Sequence, residues 1–471
     1  MISRAHISPN ALRVLYRLRD AGFMGFLVGG CVRDLLIGRE PKDFDVATDA
    51  LPEQVRKLFR NCRLVGRRFR LAHVFFGRDI IEVATFRAAS APAPGEEPLG
   101  DAELADDPDL LATAPQVETL TEPDVDLDAD AVLGRFADDS GSERMLDETG
   151  RIIRDNVYGT IDADVWRRDL TVNALYYNIA DFSIWDYVGG FGDVAARKLK
   201  LIGDPETRFR EDPVRMLRVA RFEAKLGFAI DPATAEPIER LSELLGGVPP
   251  ARLFDETLKL FLTGHGAKSF HVLRRHGLLG ALLPSVAAYL DSHPRSLVET
   301  LLLQGLRNTD ERVLADKPVT PTFLFALLLY GPIAGIIEAT APERWHELAT
   351  ILDACDRAVR EVQSHITVPK RFSLGMREMF ALQPRLEHPR GRRALRSLEH
   401  PRFRAAYDLL LLRAQHGLAS KEMAQWWTRI QEVSPEERGE MADALAGQMP
   451  RAEAPRRGGR RRRRRRGPGA A

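Results

Sequence analysis

The chain has 471 residues, 44% of them apolar, and a formal net charge of +1. That length exceeds a single hydrophobic core and implies roughly two to four domains. No apolar run is long and uninterrupted enough for a bilayer span, and Cys31, Cys62 and Cys355 are scattered without metal or disulfide spacing. These features point away from membrane and disulfide-framework classes and towards a reducing cytoplasm, and the first fifteen residues lack a signal peptide's charged-then-apolar layout.

The small net charge conceals segregation. No Lys or Arg occurs between Arg87 and Arg135, whereas the sequence from Arg456 onward is almost all Arg and Gly. The remainder is modestly basic and favours arginine, whose planar fork suits phosphates.

In chain order, residues 8–22 read as a helix, with Ser8 as N-cap, Pro9 in the first turn and Gly22 closing it. Phe26-Leu27-Val28 reads as a buried strand broken by Gly29-Gly30, and a short helix with Val32, Leu35 and Leu36 on one face ends at Gly38. Asp43-Phe44-Asp45-Val46 then alternates carboxylates with apolar residues. Side chains two apart on a strand share a face, so Asp43 and Asp45 are expected to point the same way. A helix is expected over 48–60, and strands over 70–76 and 80–86 joined at Gly77-Arg78-Asp79 as a hairpin.

Residues 88–142 are rich in Ala, Pro, Asp and Glu without hydrophobic periodicity, and read as a disordered surface insertion. Strands are expected at 175–179 and 183–187. Beyond Gly203 the strand signals fade. Asp212 and Pro213 open a helix to Gly227 with Met216, Leu217, Ala220 and Ala224 as its apolar stripe; Arg215, Arg218, Phe222 and Lys225 lie opposite. Helical patterns continue to about residue 433.

Two carboxylates held together invite a divalent cation, and hard oxygens suit Mg²⁺. Glycines without a Cβ let backbone N–H groups approach a phosphate. The G-G-x-V-R-D segment, with D-x-D beginning ten residues after Arg33, combines both features. It resembles the signature of the class II nucleotidyltransferases, the CCA-adding enzymes and bacterial poly(A) polymerases of the DNA polymerase β-like superfamily. Two further segments resemble motifs of that family: RRDLTVNAL, containing Arg167, Arg168 and Asp169, and EDPVRMLR, containing Asp212, Arg215 and Arg218.

The resemblance implies a nucleotidyltransferase head, an α/β mixed sheet with helices, over 1–200, and a helical nucleotide- and RNA-binding neck over 201–265. An all-α body with a C-terminal RNA-binding region over 266–450 and a disordered Arg-rich tail over 451–471 complete the layout. Asp43 and Asp45 become ligands for two Mg²⁺ ions, with Mn²⁺ an alternative. Asp169 or Glu82 supplies a third carboxylate, and the motif favours Asp169. Gly29, Gly30, Arg33, Arg167 and Arg168 cradle the triphosphate. Asp212 and Arg215 read adenine's Watson–Crick edge, and Arg218 lies on their helix face.

Arg67, Arg68 and Arg70 flank Phe69 in a segment suited to RNA phosphate contact and base stacking. The segment LVGRRFRLAHV, the segment HPRFRAAYDLLLLRA and the Arg-rich tail resemble the bacterial poly(A) polymerase form rather than the CCA-adding form. The implied reaction is template-independent addition of AMP from ATP to RNA 3′ ends. A CCA-adding activity is the alternative, and retention of both aspartates argues against a non-catalytic RNA-binding factor.

Overall fold

A computed structural model describes residues 2–66, 70–88, 144–146, 152–155, 158–389 and 391–448. All of the acidic stretch except Ala88, the Arg67-Arg68-Phe69 triplet and the Arg-rich tail lie outside the described residues. The architecture is an α/β head built on a mixed sheet, followed by helices.

The head contains β1 (Gly25–Val28), β2 (Asp45–Thr48), β3 (Cys62–Val65), β4 (Leu71–Phe76) and β5 (Asp79–Thr85). A separate hairpin, β6 (Arg144–Leu146) with β7 (Ile152–Asp155), precedes β8 (Leu175–Asn178) and β9 (Ile184–Asp186). The seven-stranded sheet has the order β3-β4-β5-β2-β1-β8-β9, antiparallel throughout except for the parallel β2–β5 pair.

Strand alternation explains the layering. Leu27, Val46, Val74, Ile81, Val83 and Tyr177 point to one side, where they join a core with α1 (Pro9–Asp20) and α3 (Pro52–Leu58). Ser8 caps α1 as expected, accepting from the Asn10 N–H at 3.2 Å. Between these two helices, α2 (Gly30–Leu36) starts directly after Gly29, whose φ of +76° is a left-handed conformation that side-chain-bearing residues rarely adopt. On the other side of the sheet, Phe26, Val28, Ala47, Phe86 and Tyr176 pack with Ile161 and Val165 of α4 (Ile161–Arg167).

One expectation changes, and one strand was not anticipated. The helix expected over 48–60 starts only at Pro52, because Thr48 completes β2 and its hydroxyl donates to the Met24 carbonyl at 2.5 Å. The short β3 carries too little alternation to announce itself, yet it pairs along its whole length with β4.

Beyond β9, α5 (Gly190–Ala195), α6 (Pro205–Glu211), α7 (Val214–Leu226), α8 (Pro232–Leu241) and α9 (Pro250–Phe261) lead into α10 to α21, between Gly266 and Gln448. Met216, Leu217, Ala220 and Ala224 of α7 are buried as the 3.6-residue period required. Among the described residues no single helix is long and apolar enough to cross a membrane; the apolar pair Pro321–Leu328 and Tyr330–Thr340 bends by 43° and is largely buried.

Gly190 opens α5 where a Cβ would lie 2.1 Å from the Thr171 carbonyl oxygen. Gly190→Ala must therefore push away the Thr171–Asn173 turn. The expected cost is about 2 kcal/mol of unfolding free energy, read as a lower urea midpoint with unchanged slope.

Candidate active site

The sheet register assembles the site. Reading across neighbouring strands, His73 of β4 lies opposite Glu82 of β5, Glu82 beside Asp45 of β2, Asp45 opposite Val28 of β1 and Val28 opposite Tyr176 of β8. Residues opposite one another share a face. Asp45 and Glu82 therefore stand side by side, and β2 begins at Asp45, so Asp43 belongs to the loop immediately before the strand rather than to the strand itself.

Of the two candidates for a third carboxylate, the parallel β2–β5 ladder brings Glu82 beside Asp45, whereas Asp169 pairs with arginines of the helix that begins at Val214. The surrounding protein, and next the charge of Glu82, push the Asp45 carboxyl up to about 6; Arg168 opposes the shift and Asp43 adds to it. Glu82 is raised as well, by desolvation and then by Asp43. A cation placed among these carboxylates would relieve that repulsion.

Among the described residues no group of three His, Cys, Asp or Glu side chains stands close enough to hold a metal by itself. Mg²⁺ does not require one. It commonly takes one or two carboxylates and completes its octahedron with waters and substrate phosphates, so the donor set fits that ion.

Beside the carboxylates lies a candidate phosphate cradle. A Cβ on Gly29 would sit 3.5 Å from Nη1 of Arg168, so the Arg168 guanidinium borders the open glycine backbone. Arg168 is itself aimed by neighbours: its Nε donates to the Tyr176 hydroxyl at 2.8 Å and its Nη2 to Asp164 at 3.1 Å. Arg167 turns elsewhere and donates to the Ala88 carbonyl at 3.0 Å.

Arg33, expected near the triphosphate, is only 1% exposed. It is bonded to Asp34 at 2.8 Å and to the Asn173 side chain, with its guanidinium 5.5 Å from the Phe222 ring centre. It braces α2 against the Thr171–Asn173 turn and α7, and its Nη2 lies 3.4 Å from where a Cβ on Gly30 would stand.

Asp169 is engaged from the helical side of the site. It is nearly buried between two arginines of α7, with Arg215 Nε at 3.1 Å and Arg218 Nη2 at 2.7 Å. Arg215 also bonds Glu211 at 2.9 Å. Asp212 is buried too. One of its oxygens accepts from the Val214 N–H at 3.2 Å, although Pro213 rather than Asp212 takes the N-cap position of α7, and the other pairs with Arg252 of α9 at 2.7 Å. Each of the proposed base readers is thus held by a partner that sequence spacing did not reveal.

The same helix carries two cations that received no role from the motifs. Arg221 lies 5.1 Å from the Phe222 ring centre with its Nε buried and unpartnered. Lys225 is held below its ordinary pKa by desolvation and then by the Arg33 charge, and lies within the field of Asp43. His265 is pushed down to about 4 by burial, then by Lys225 and Arg221. The 215–218–221–225 spacing, a helical face, was the available signal. Of the expected RNA-binding arginines, Arg67 and Arg68 lie outside the described residues, and Arg70 is paired with Glu53 of α3.

Residues 25–200 match the family model described as poly A polymerase head domain, 227–290 the probable RNA and SrmB-binding site of polymerase A, and 343–467 the polymerase A arginine-rich C-terminus. Poly(A) polymerase I of Salmonella typhi is 44% identical over 97% of this chain and 91% of its own length. A CCA-adding enzyme of Lactobacillus delbrueckii subsp. bulgaricus is 30% identical, over 58% of this chain and 55% of its own length. The Thermotoga maritima CCA-adding enzyme, solved as a complex with tRNA_CCA, shares the fold with a TM-score of 0.53 at 16% identity, covering 95% of this chain and 94% of its own. The chain belongs to the bacterial poly(A) polymerase family and is a nucleotidyltransferase.

Proposed function

We propose that the carboxylate row and the cradle beside it carry out template-independent transfer of AMP from ATP to the 3′ end of RNA. The observation that carries this reading is the Asp45–Glu82 register, with Asp43 just before it and Gly29 and Arg168 alongside. Asp43 and Asp45 would hold Mg²⁺, or Mn²⁺ in its place. Bound there, the ions would supply Lewis-acid stabilisation of the charge developing on the phosphoryl oxygens.

The chain's own residues account for the rest. Gly29 and Gly30 leave the backbone open to the triphosphate, and Arg168 adds charge at that point. Arg221 and Lys225 extend the positive field along α7, while Arg33 contributes from beneath. Asp212, paired with Arg252, would accept a hydrogen bond from adenine's exocyclic amine, with Arg215 donating to the ring. Selection by protein groups makes a template unnecessary.

As the RNA 3′ oxygen bonds the α-phosphorus, the bond to the bridging oxygen breaks and pyrophosphate leaves. The hydroxyl proton would pass to a Glu82 carboxylate oxygen, whose raised pKa makes it a better base than an ordinary carboxylate. The acceptors are RNA 3′ ends in the cytoplasm.

Asp43→Ala and Asp45→Ala are each expected to abolish AMP incorporation while RNA binding in a gel-shift assay persists. Glu82→Gln should lower kcat by about 10²–10⁴-fold. Asp169→Asn should instead cost about 3 kcal/mol of stability, because Arg215 and Arg218 lose their shared buried partner. Equal kcat losses in both variants, with no change in stability, would contradict this division of labour.

Asp45 also makes a pH prediction. Between its ordinary value of 3.8 and about 6, the folded chain binds more protons at this carboxyl than the unfolded chain does. Wild-type stability in metal-free buffer therefore falls as pH rises through that window. Asp45→Asn should melt above wild type at pH 8, with the gap closing towards pH 4, and added Mg²⁺ should raise the melting temperature of wild type alone.

A further inference from the structure

We propose that the open face of β3 and β4 seats the last nucleotide of the acceptor strand, with Phe75 as its stacking surface and Arg63 at its rim. The inference rests on the reading of the chain as an RNA-extending enzyme and adds where the RNA end lies.

The carboxylate row continues past Glu82. His73 is opposite Glu82, and Arg63 of β3 is opposite His73. The His73 Nε2 lies 3.5 Å from a Glu82 oxygen. One pleat further along β4, the Phe75 ring meets His73 edge-on, with ring centres 6.3 Å apart and planes at 63°. The Arg63 guanidinium carbon stands 5.8 Å from the Phe75 ring centre. A cation, an aromatic face and an imidazole thus lead directly to the proposed proton acceptor.

The core does not need these side chains. The residues of opposite parity on the same strands, Ala72, Val74, Ile81 and Val83, are buried in the main core. Arg63, His73, Phe75 and Glu82 belong to neither hydrophobic cluster: Arg63 and Glu82 are exposed, and His73 and Phe75 are partly open. On strands β1 and β8, by contrast, the corresponding face is filled by Phe26, Val28 and Tyr176 beneath α4. Among the described residues the face over β3 and β4 has no such filling.

Sheet order decides the occupant. In the order β3-β4-β5-β2-β1, the phosphate cradle at Gly29 follows β1 on one side of Asp45, and β5, β4 and β3 lie on the other. The nucleotide occupies the first side, so the 3′ hydroxyl comes to Glu82 from the second. Stacking on an aromatic beside an arginine tolerates any base and tracks a single strand. That is what an enzyme extending its own product requires: each new terminal nucleotide must fit the same seat.

The test uses the full chain with a single-stranded RNA oligonucleotide carrying 2-aminopurine at its 3′-terminal position, without ATP. A second oligonucleotide carries the probe well inside the strand. Wild type should alter the terminal probe's fluorescence more strongly than that of the internal one. Phe75→Leu, which keeps apolar bulk but removes the ring, should lose most of that response, and Arg63→Ala, on an exposed side chain, part of it. Both variants should raise the acceptor KM by about tenfold while leaving the ATP KM within about twofold. An unchanged terminal response and acceptor KM in both, or an ATP KM that rises as much as the acceptor's, overturns the seat. Should wild type show the terminal response but fail to incorporate AMP, the seat stands and the function reading falls. Incorporation by wild type with both variants indifferent has the reverse meaning.

Discussion

The repulsion between Asp45 and Glu82 is the constraint around which the head is built. Two carboxylates on neighbouring strands separate if the chain permits it. Here the chain does not. The parallel ladder of β2 and β5 fixes their register, and Val46 and Val83, the next residues along, are buried on the reverse face. A slip of one residue in either strand would turn a carboxylate into the core and a valine into solvent. The apolar layer formed with α1 and α3 therefore enforces a charge arrangement that is unfavourable until a cation joins it, which is how functional sites come to hold perturbed acids.

A second pair of charged ties decides where α7 sits relative to the sheet. Asp169 follows the end of α4, and Arg215 and Arg218 close on it from α7. Asp212 then joins the start of α7 to Arg252 on α9. Both acidic partners are almost removed from solvent, so removing one member of either tie strands a charge in a poor dielectric and costs more than any surface pair. With α7 fixed, its remaining cations Arg221 and Lys225 share a field with Arg33 and, at Lys225, with Asp43. A basic helix face is thereby set beside an acidic sheet face, with the glycine turn adjoining both.

Much of this was legible in the chain. Ser8-Pro9, the Gly29-Gly30 break, the Asp43/Asp45 pair and the α7 stripe each rest on local chemistry, and local chemistry is what spacing reports. The failures share a cause. Glu82 could not be chosen over Asp169 from spacing because its neighbour Asp45 lies 37 positions earlier in the chain, joined to it only by β2–β5 pairing. Arg33 was expected beside the triphosphate, but its burial against Asn173 and Phe222 depends on residues from far along the chain. Arg252 carried no signal, since its importance lies wholly in meeting Asp212. The ion pairs of Asp169 with Arg215 and Arg218 likewise join residues some fifty positions apart in the chain, which spacing does not report. Thr48 was expected to begin a helix, but the sheet, by supplying β1 as its partner, holds it in β2.

The most direct measurement is primer extension on two RNAs, an unstructured oligonucleotide and a tRNA lacking its CCA end. Each is incubated in Mg²⁺ with ATP alone, CTP alone and both together. The account predicts a long ladder on the unstructured RNA from ATP, with CTP neither required nor substituting. Addition of CCA alone to the tRNA, dependent on CTP and stopping there, would contradict it.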